Sequence, residues 1–325
     1  MNPEINVRRP LIYLVIAAIL AAVALVAMRV PADGVTTPEE PAADSDASAD
    51  QPAADTCTDV VGSLRPDPAA PVPGAMPAGS TMATIVARGR LIVGVNQGNY
   101  LLGFRDPQTR EFRGAEVDLA RTITAAIFGS PDRVEFVALD VADREGAIES
   151  GRVDMVISAY SITCARQRVV EFSTVYMRAA QRLLVEAGSD IRSITDLAGR
   201  RACTSAASVN EEILRRQATA VEVETWPIVS DCVVELMSNR VDAVSSDDVI
   251  LAGMTALDPQ LVVVGEPMAA TDFGIGVAKQ SPDLVRFVNG ILERERANGQ
   301  LQAIYTRWFG DYGPIPEPGA AVYRD

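Results

Sequence analysis

Short β-rich segments alternate with segments of helical periodicity from Thr81 onward, and this alternation constrains the fold more than any other feature of the chain. The predicted strands of the first unit are RLIVGV (residues 90–95), RVEFVAL (133–139) and VDMVIS (153–158). Between them lie segments whose apolar residues recur at helical spacing. Such alternation predicts an α/β fold in which a mostly parallel sheet is flanked by helices.

The same rhythm restarts after Tyr176, which predicts a second α/β unit. Its predicted strands are QRLLVEA (181–187), RRACTS (200–205), VEVETW (221–226) and VDAVSS (241–246). A further strand, GIGVAK (274–279), and two helices (282–298 and 300–309) follow. The tail from Gly313 carries three prolines and is predicted to be loose.

Composition excludes several classes of function. The chain of 325 residues contains no His, which excludes Ser-His triads and His-ligated zinc sites. Its net charge of −14 argues against nucleic acid, whose phosphates require a basic face. We therefore predict no cofactor and no metal, and we expect a small solute or a protein as the partner.

The N-terminal region predicts a membrane attachment. Residues 11–28 form an uncharged apolar run, about 27 Å long as a helix, with Arg8 and Arg9 before it and Arg29 after it. This pattern favours an uncleaved single-pass anchor (residues 1–30) with the bulk of the chain extracytoplasmic. A secretory signal is the alternative, although its apolar region is normally shorter and no clean cleavage site follows. Residues 31–80 are rich in Pro, Ala and Asp and are predicted to be a disordered linker.

Four cysteines, Cys57, Cys164, Cys203 and Cys232, suit disulfides in an exported protein. Three pairings are possible, and free buried thiols are the alternative. We pair Cys203 with Cys232 because both fall in the second predicted unit, which leaves Cys57 with Cys164.

Three predicted strand ends carry groups suited to a small charged ligand. Arg166 lies two residues after Cys164 at a predicted helix start, where free N–H groups and a guanidinium suit a carboxylate. Ser208, followed by Glu211, predicts a capping box at a second helix start. Asp247 and Asp248 end a buried strand, and we assign Asp247 to a ligand ammonium and Asp248 to helix capping.

Several motifs, taken in order, resemble the polar amino acid substrate-binding proteins of ABC transporters (family 3), closest to the glutamine/glutamate-binding branch. They are GRLIVGV, FRDP, GAEVDLA, ESGRVDMVISAYSITCARQRVVEFSTVY, VDAVSSDDVILAG, RFVNGILER and YTRWFG, within residues 88–310. The resemblance implies a two-lobed periplasmic-binding-protein-like fold (type II), with two hinge strands joining the lobes. It implies a first lobe of residues 81–183 and 268–312, and a second of 184–267. The hinge strands are expected to cross near residues 182–185 and 265–274.

The resemblance also implies roles for individual residues. Arg166 would bind the ligand α-carboxylate with both prongs of its guanidinium, helped by Ser161 and by the helix start at Ser208 and Val209. Asp247 and the carbonyl of Ala159 would take the α-ammonium.

The ligand side chain is addressed by other positions of this resemblance. Asn96 stands where relatives often carry Asp, which favours an anionic ligand side chain because like charges repel. Arg144 matches a basic position and would receive a distal carboxylate, although from pattern alone it reads as a solvated helix residue. The resemblance therefore favours glutamate or aspartate over glutamine or asparagine.

This sequence also departs from the family's pattern. The loop TSAASVN (204–210) lacks the Gly and the basic residue that are common there. Asn99 and Val141 replace two aromatic residues that often enclose the ligand, and Tyr100 or Tyr160 is the expected substitute.

Together these observations predict a monomeric, membrane-anchored receptor that captures an acidic or amide amino acid and delivers it to an ABC permease. One alternative is a membrane-tethered sensor that signals amino acid levels to a membrane partner. A second is an enzyme on the same fold, which the absence of His and of an evident acid/base pair disfavours.

Overall fold

The computed structural model describes residues 62–67, 73–313, 315 and 318–325. The predicted anchor, most of the predicted linker and Cys57 lie outside these residues. Within them, none of the helices combines the length and apolar character that crossing a bilayer requires.

Thirteen strands form within the described residues, in the predicted places and in some additional short segments. They are β1 Leu91–Val95, β2 Gly98–Asn99, β3 Gly103–Arg105, β4 Phe112–Arg113, β5 Val134–Ala138, β6 Met155–Val156, β7 Val170–Phe172, β8 Met177–Glu186, β9 Arg201–Ser205, β10 Glu222–Trp226, β11 Ala243–Asp247, β12 Leu261–Phe273 and β13 Gly276–Ala278.

Nine α-helices accompany these strands in the described part of the chain. They are α1 Thr81–Arg88, α2 Ala115–Phe128, α3 Arg144–Glu149, α4 Cys164–Val169, α5 Val209–Gln217, α6 Val229–Met237, α7 Asp248–Leu257, α8 Pro282–Ala297 and α9 Gln300–Phe309. The helical spacing seen between the first two predicted strands corresponds to α2, whose residues Leu119, Ile123 and Ile127 are all buried. A single 3₁₀ turn, Ile194–Leu197, lies between β8 and β9.

Two five-stranded sheets carry the fold, ordered β5-β1-β6-β13-β7 and β10-β9-β11-β8-β12, and β2 to β4 form a small antiparallel sheet. In the first sheet β1 pairs in parallel with β5 and β6, whereas β13 is antiparallel to β6 and β7. In the second, β9 pairs in parallel with β10 and β11, whereas β8 is antiparallel to β11 and β12. Each sheet is therefore mixed: four of its five strands run in one direction, as a mostly parallel sheet predicts, and one strand, β13 in the first sheet and β8 in the second, runs the other way.

Strands β8 and β12 pair antiparallel and connect the two sheets. The chain leaves the first sheet after β7, enters β8 at Met177, and returns from β12 at Phe273 into β13. The first crossing lies before the predicted residues 182–185, since Arg182 to Leu184 already pair with β11 inside the second sheet. The central strands and the faces of the helices against them supply the buried core.

The tail predicted to be loose is held in place over residues 318–325. The N–H of Ser63 donates to the carbonyl of Val322 (2.9 Å), and the N–H of Arg324 donates to the carbonyl of Ser63 (3.1 Å). The N–H of Arg65 donates to a carboxylate oxygen of Asp325 (2.8 Å). The predicted disordered linker therefore extends too far, because residues 62–67 pack against the tail.

Cys203 on β9 and Cys232 on α6 form the disulfide predicted for the second unit, at a sequence separation of 29 residues. Cys164 is also disulfide-bonded. Its predicted partner, Cys57, lies outside the described residues, so that pairing stays a prediction.

Candidate functional site

The carboxyl ends of the central strands of both sheets border one small cavity of about 30 Å³. Its lining residues are Asn96, Asn99, Val141, Arg144, Ser158, Ala159 and Ser161 from the first sheet and its connections, and Ser205, Ser208, Val209, Asn210, Ser246, Asp247 and Ile250 from the second. Ligands of open α/β sheets collect at this edge. The volume suits only a few water molecules, so an amino acid requires the two walls to move apart.

Arg144, at the start of α3, supplies the cation of the first wall. Its side chain is only 3% exposed, and it donates to the carbonyls of Val141 (3.0 Å), Ser158 (3.1 Å) and Ala159 (3.4 Å). Burial, with the positive charge of Arg166 as a second cause, lowers the pKa of Arg144 to about 10. The group therefore remains a cation at neutral pH and faces the cavity.

Arg166, on α4, lies just behind the lining rather than in it. Its Nη1 donates to the carbonyl of Ser161 (3.0 Å), and its Nη2 donates to the carbonyl of Ala207 (3.2 Å) across the two walls. Its Nε lies 3.3 Å from a carboxylate oxygen of Glu145. The guanidinium thus bridges the two sides of the cavity.

Tyr160 does not enclose the cavity as an aromatic substitute. It is fully buried, and its ring lies beneath both arginines, with 4.4 Å from the ring centroid to Cζ of Arg144 and 5.1 Å to Cζ of Arg166. Tyr100 is also absent from the lining and packs instead on Phe104, with the ring centroids 4.7 Å apart. The aromatic ring of Tyr160 therefore supports the cations rather than a ligand.

Asp247, the last residue of β11, supplies the anion of the second wall. It is 2% exposed, its Oδ2 accepts from the Nδ2 of Asn210 (2.8 Å), and its Oδ1 has no hydrogen-bond partner among the described residues. Burial raises the pKa of Asp247 to about 6, although the side chains of Asn210 and Thr271 lower it by interacting with the carboxylate. Asp248 is the first residue of α7 and accepts from the N–H groups of Ala180 (3.0 Å) and Val249 (2.8 Å). The N-cap position predicted for it is occupied by Asp247, whose side chain makes no capping hydrogen bond.

The start of α5 reaches the cavity through Ser208 and Val209. The hydroxyl of Ser208 accepts from the N–H of Glu211 (3.0 Å), as the capping box predicts. The carboxylate of Glu211 reaches back to the N–H of Ala207 (2.9 Å) instead of Ser208. Ala207 adopts a φ of 56°, the left-handed conformation that the glycine missing from this loop would favour.

Asn210 lines the cavity, although sequence reasoning missed it. It is 7% exposed, and while its Nδ2 fixes Asp247, its Oδ1 has no partner in the part of the chain that the structure describes. Only the spacing Ser208-x-Asn210 at the helix start could have indicated it. Asn210 and Asp247, which are hydrogen-bonded to each other, therefore each carry one unpartnered acceptor oxygen on the second wall.

Among the predicted ligand-binding residues, only Arg166 and Tyr160 do not line the cavity. Asn96 lies at the end of β1 and accepts from the N–H of Gly98 (2.7 Å) through its side-chain oxygen. Asn99 and Val141, which replace the expected aromatic residues, also line the wall. The described residues contain no group of acidic or Cys side chains that could hold a metal ion.

A much larger cavity, about 770 Å³, lies on the far side of the first sheet between α1, α2, α8 and α9. Its lining includes Asp67 and Pro73, which border residues 68–72, outside the described part of the chain. It lacks the strand ends and the opposed buried charges of the smaller cavity, which is therefore the candidate site.

Comparison with known proteins agrees with this geometry. The model of the bacterial extracellular solute-binding proteins, family 3, matches residues 91–311. The ABC transporter glutamine-binding protein of Bacillus subtilis is 28% identical over 229 residues, covering 70% of this chain and 84% of that protein. The glutamate-binding protein of Corynebacterium efficiens is 28% identical over 253 residues, covering 74% and 86%.

A solved structure shares the fold as well. An ancestral arginine-binding protein bound to glutamine is 32% identical, with a TM-score of 0.64, and the match covers 69% of this chain and 99% of that one. The family match spans both sheets and the crossing strands between them. The chain therefore belongs to the bacterial extracellular solute-binding proteins, family 3, and has their periplasmic-binding-protein-like fold.

Proposed function

We propose that this protein captures an acidic amino acid, glutamate or aspartate, between its two sheets and delivers it to an ABC permease. The observation that carries the proposal is that a buried cation, Arg144, and a buried anion, Asp247, line one cavity from opposite walls. Each buried charge is costly unless a partner of opposite charge meets it. A zwitterion supplies both partners at once.

The α-ammonium is assigned to the second wall. Asp247 Oδ1 and Asn210 Oδ1 are buried acceptors without a partner among the described residues, and an ammonium supplies three donors. The carbonyl of Ala159, on the first wall, is the third acceptor in this proposal.

The two carboxylates of the ligand are assigned to the two arginines that share the ring of Tyr160. Arg166 donates to two main-chain carbonyls, and a carboxylate is the stronger acceptor for a guanidinium. We expect Arg166 to exchange these carbonyls for the ligand α-carboxylate as the walls separate and close again. Arg144 then receives the side-chain carboxylate, and Asn96 adds no negative charge beside it.

The relatives do not fix the side-chain specificity, since those reported above are named for glutamine, glutamate and arginine. Arg144 argues against a ligand with a cationic side chain, because its buried guanidinium would repel a second positive charge. It favours an anionic side chain over a neutral amide, since hydrogen bonds between two charged groups are the stronger ones.

Calorimetric titration of the purified protein with glutamate, aspartate, glutamine, asparagine, arginine and cystine tests the proposal. We expect glutamate or aspartate to bind with a Kd below about 100 μM and more tightly than the amides. If neither glutamate nor aspartate binds in this range, or if an amide binds more tightly than both, the proposal is wrong.

Delivery to a permease is tested in cells. Deletion of the gene should abolish uptake of the radiolabelled ligand, and the wild-type chain, but not the Asp247→Asn variant, should restore it. Normal uptake in the deletion strain, together with a lost response to the amino acid, would instead indicate a sensor.

We further infer that residues 11–28 anchor the protein in the cell membrane, an inference supported by their uncharged apolar sequence. The full-length chain should remain in the membrane fraction after carbonate extraction. Ile19→Arg, which places a charge at the middle of the run, should release a part of it. Recovery of the wild-type protein in the soluble extract would contradict this inference.

A further inference from the structure

A buried carboxylate outside the cavity contacts both the ligand site and the crossing segment. Glu116, in the first turn of α2, is 1% exposed and does not line the cavity. Its Oε1 accepts two short hydrogen bonds, from the N–H of Ala159 (2.6 Å) and from the hydroxyl of Tyr176 (2.6 Å). A carboxylate this deeply buried is costly, so its retention calls for a role.

The first of these bonds holds the main-chain segment to which the side chain of Arg144 donates. Ala159 has a φ of 42°, a conformation that is unfavourable for a residue with a side chain. The carbonyls of Ser158 and Ala159 both accept from Nη1 of Arg144. Because the N–H of Ala159 and the carbonyl of Ser158 belong to one planar peptide unit, fixing this N–H also fixes the direction of the carbonyl that accepts from Arg144 at 3.1 Å.

The second bond reaches the segment that joins the two sheets. Tyr176 immediately precedes β8, and its N–H donates to the carbonyl of Phe273 at the end of β12 (2.9 Å). Its own carbonyl accepts from the hydroxyl of Tyr305 on α9. Tyr176 is thus fixed at the point where both crossing strands meet the first sheet.

We propose that Glu116 is a positioning residue that ties the ligand-binding loop at Ala159 to the crossing segment at Tyr176, so that Arg144 is correctly placed when the two walls close. This inference rests on the proposed function, since it requires a ligand that Arg144 receives. It depends on the reach of the Glu116 side chain and on the acceptor capacity of Oε1, and not on the negative charge as such.

Two substitutions separate reach from charge. Glu116→Gln keeps the length and the Oε1 acceptor but removes the charge, and we expect its affinity for the best acidic ligand to stay within about threefold of wild type. Glu116→Asp keeps the charge but withdraws the carboxylate by one methylene, which leaves a buried N–H or O–H unpaired. We expect its affinity to fall roughly tenfold.

Glu295→Asp is the matched control. Glu295 is also buried (7% exposed), lies on α8, and is hydrogen-bonded to Arg294 (2.9 Å) away from the cavity. The Glu295→Asp substitution should change the melting temperature without changing the affinity for the ligand. Tyr176→Phe removes one of the two donors to Glu116 and should weaken binding by a smaller factor than Glu116→Asp.

Affinities are measured by calorimetry, and the folded fraction of each variant by circular dichroism. The inference is overturned if Glu116→Asp binds as wild type does, or if Glu116→Gln loses more affinity than Glu116→Asp. If Glu116→Asp does not fold, Tyr176→Phe and Glu116→Gln decide, and unchanged affinity in Tyr176→Phe overturns the inference. Failure of the wild-type protein to bind any amino acid would instead refute the proposed function.

Discussion

The two walls of the cavity differ in how many hydrogen bonds their buried polar groups already make within the protein. On the first wall, Arg144 already donates to three main-chain carbonyls of that wall. On the second wall, Asp247 Oδ1 and Asn210 Oδ1 have no partner among the described residues. The first wall is therefore preorganised without a ligand, whereas the second is completed only by a cation. Preorganisation lowers the cost of binding on one side, and the unmet acceptors supply specificity on the other.

The walls also differ in how they respond to pH. Burial lowers the pKa of Arg144 to about 10 and raises that of Asp247 to about 6. The first wall keeps its charge across the physiological range, and the second does not. The comparison predicts that binding is most sensitive to changes on the second wall.

The largest effect is expected for Asp247→Asn. Removing one charge of a buried ammonium–carboxylate pair should weaken binding of the best ligand by about 100-fold or more. Asp248→Asn is the matched control at the next position. It removes a negative charge from the first turn of α7 and should lower the unfolding free energy by about 0.3 to 1 kcal/mol, while the affinity stays nearly unchanged. Calorimetry that gives the same affinity loss for both variants would contradict the assignment of Asp247.

Arg144→Met should have the next largest effect, and a selective one. Losing the guanidinium should weaken glutamate binding by about 30-fold, within the range for a charge-assisted pair, and glutamine binding by much less. The ratio of the two affinities therefore falls. Arg200→Met, which removes a surface cation paired with Asp190, is the control and should change neither affinity. An equal loss for both ligands would show that Arg144 does not meet the ligand side chain.

Asn210→Ala should have the next largest effect on affinity. It removes one acceptor for the ligand ammonium and also the hydrogen bond that holds the carboxylate of Asp247. We expect roughly tenfold weaker binding of the amino acid, the cost of a buried ammonium donor left unpaired. The 2-hydroxy analogue of the same ligand, which lacks the ammonium, should lose far less. If calorimetry shows that the affinities for both ligands fall by the same factor, Asn210 maintains the shape of the wall and does not recognise the ammonium.

The pH dependence of binding should come from the second wall. A ligand ammonium requires ionised Asp247, so affinity should fall about tenfold from pH 7 to pH 5 as this carboxyl is protonated. In the ligand-free protein the sign for stability is opposite. Because the folded-state pKa is raised, the contribution of Asp247 to stability declines as the pH rises through about 4 to 6, where the unfolded chain has already ionised. A flat affinity profile over this range would contradict the raised pKa.

The smallest effect on binding is expected for removal of the Cys203–Cys232 disulfide. Both cysteines are fully buried and absent from the cavity lining, so the affinity of the folded protein should change less than about twofold, within the usual effect of distant changes. The unfolding free energy should fall by about 3 to 4 kcal/mol, because the disulfide closes a loop with a sequence separation of 29 and so restricts the unfolded chain. Thermal melts and calorimetry of the Cys203→Ala/Cys232→Ala variant, which lacks this disulfide but keeps that of Cys164, measure both.

The sequence indicated the strand ends well, because a strand end followed by a polar residue leaves a local signature. Asp247 and the cap at Ser208 are examples, and both lie where the pattern and the family resemblance led us to expect them. Arg144 was indicated by the resemblance alone. Its pattern is that of an exposed helix residue, and only the fold places it over the ring of Tyr160.

The sequence did not reveal features that depend on distant contacts. The C-terminal tail is rich in proline, yet Asp325 is held by Arg65 and Arg286, which are far away in sequence. Asn210 and Glu116 likewise resemble ordinary polar residues in the first turn of a helix. Their roles arise from which strand end each helix start faces, and no local pattern records that.

The central claim is that a ligand ammonium supplies the missing hydrogen bonds of the second wall. Comparing glutamate with glutarate tests it most directly, because glutarate differs from glutamate only in lacking the α-ammonium. Calorimetric titration of the wild-type protein with both at pH 7.5 is sufficient. We predict that glutamate binds with a Kd below about 100 μM and glutarate about 100-fold more weakly, the loss expected when a buried charged acceptor goes unpaired. Equal affinity for the two ligands would contradict the account.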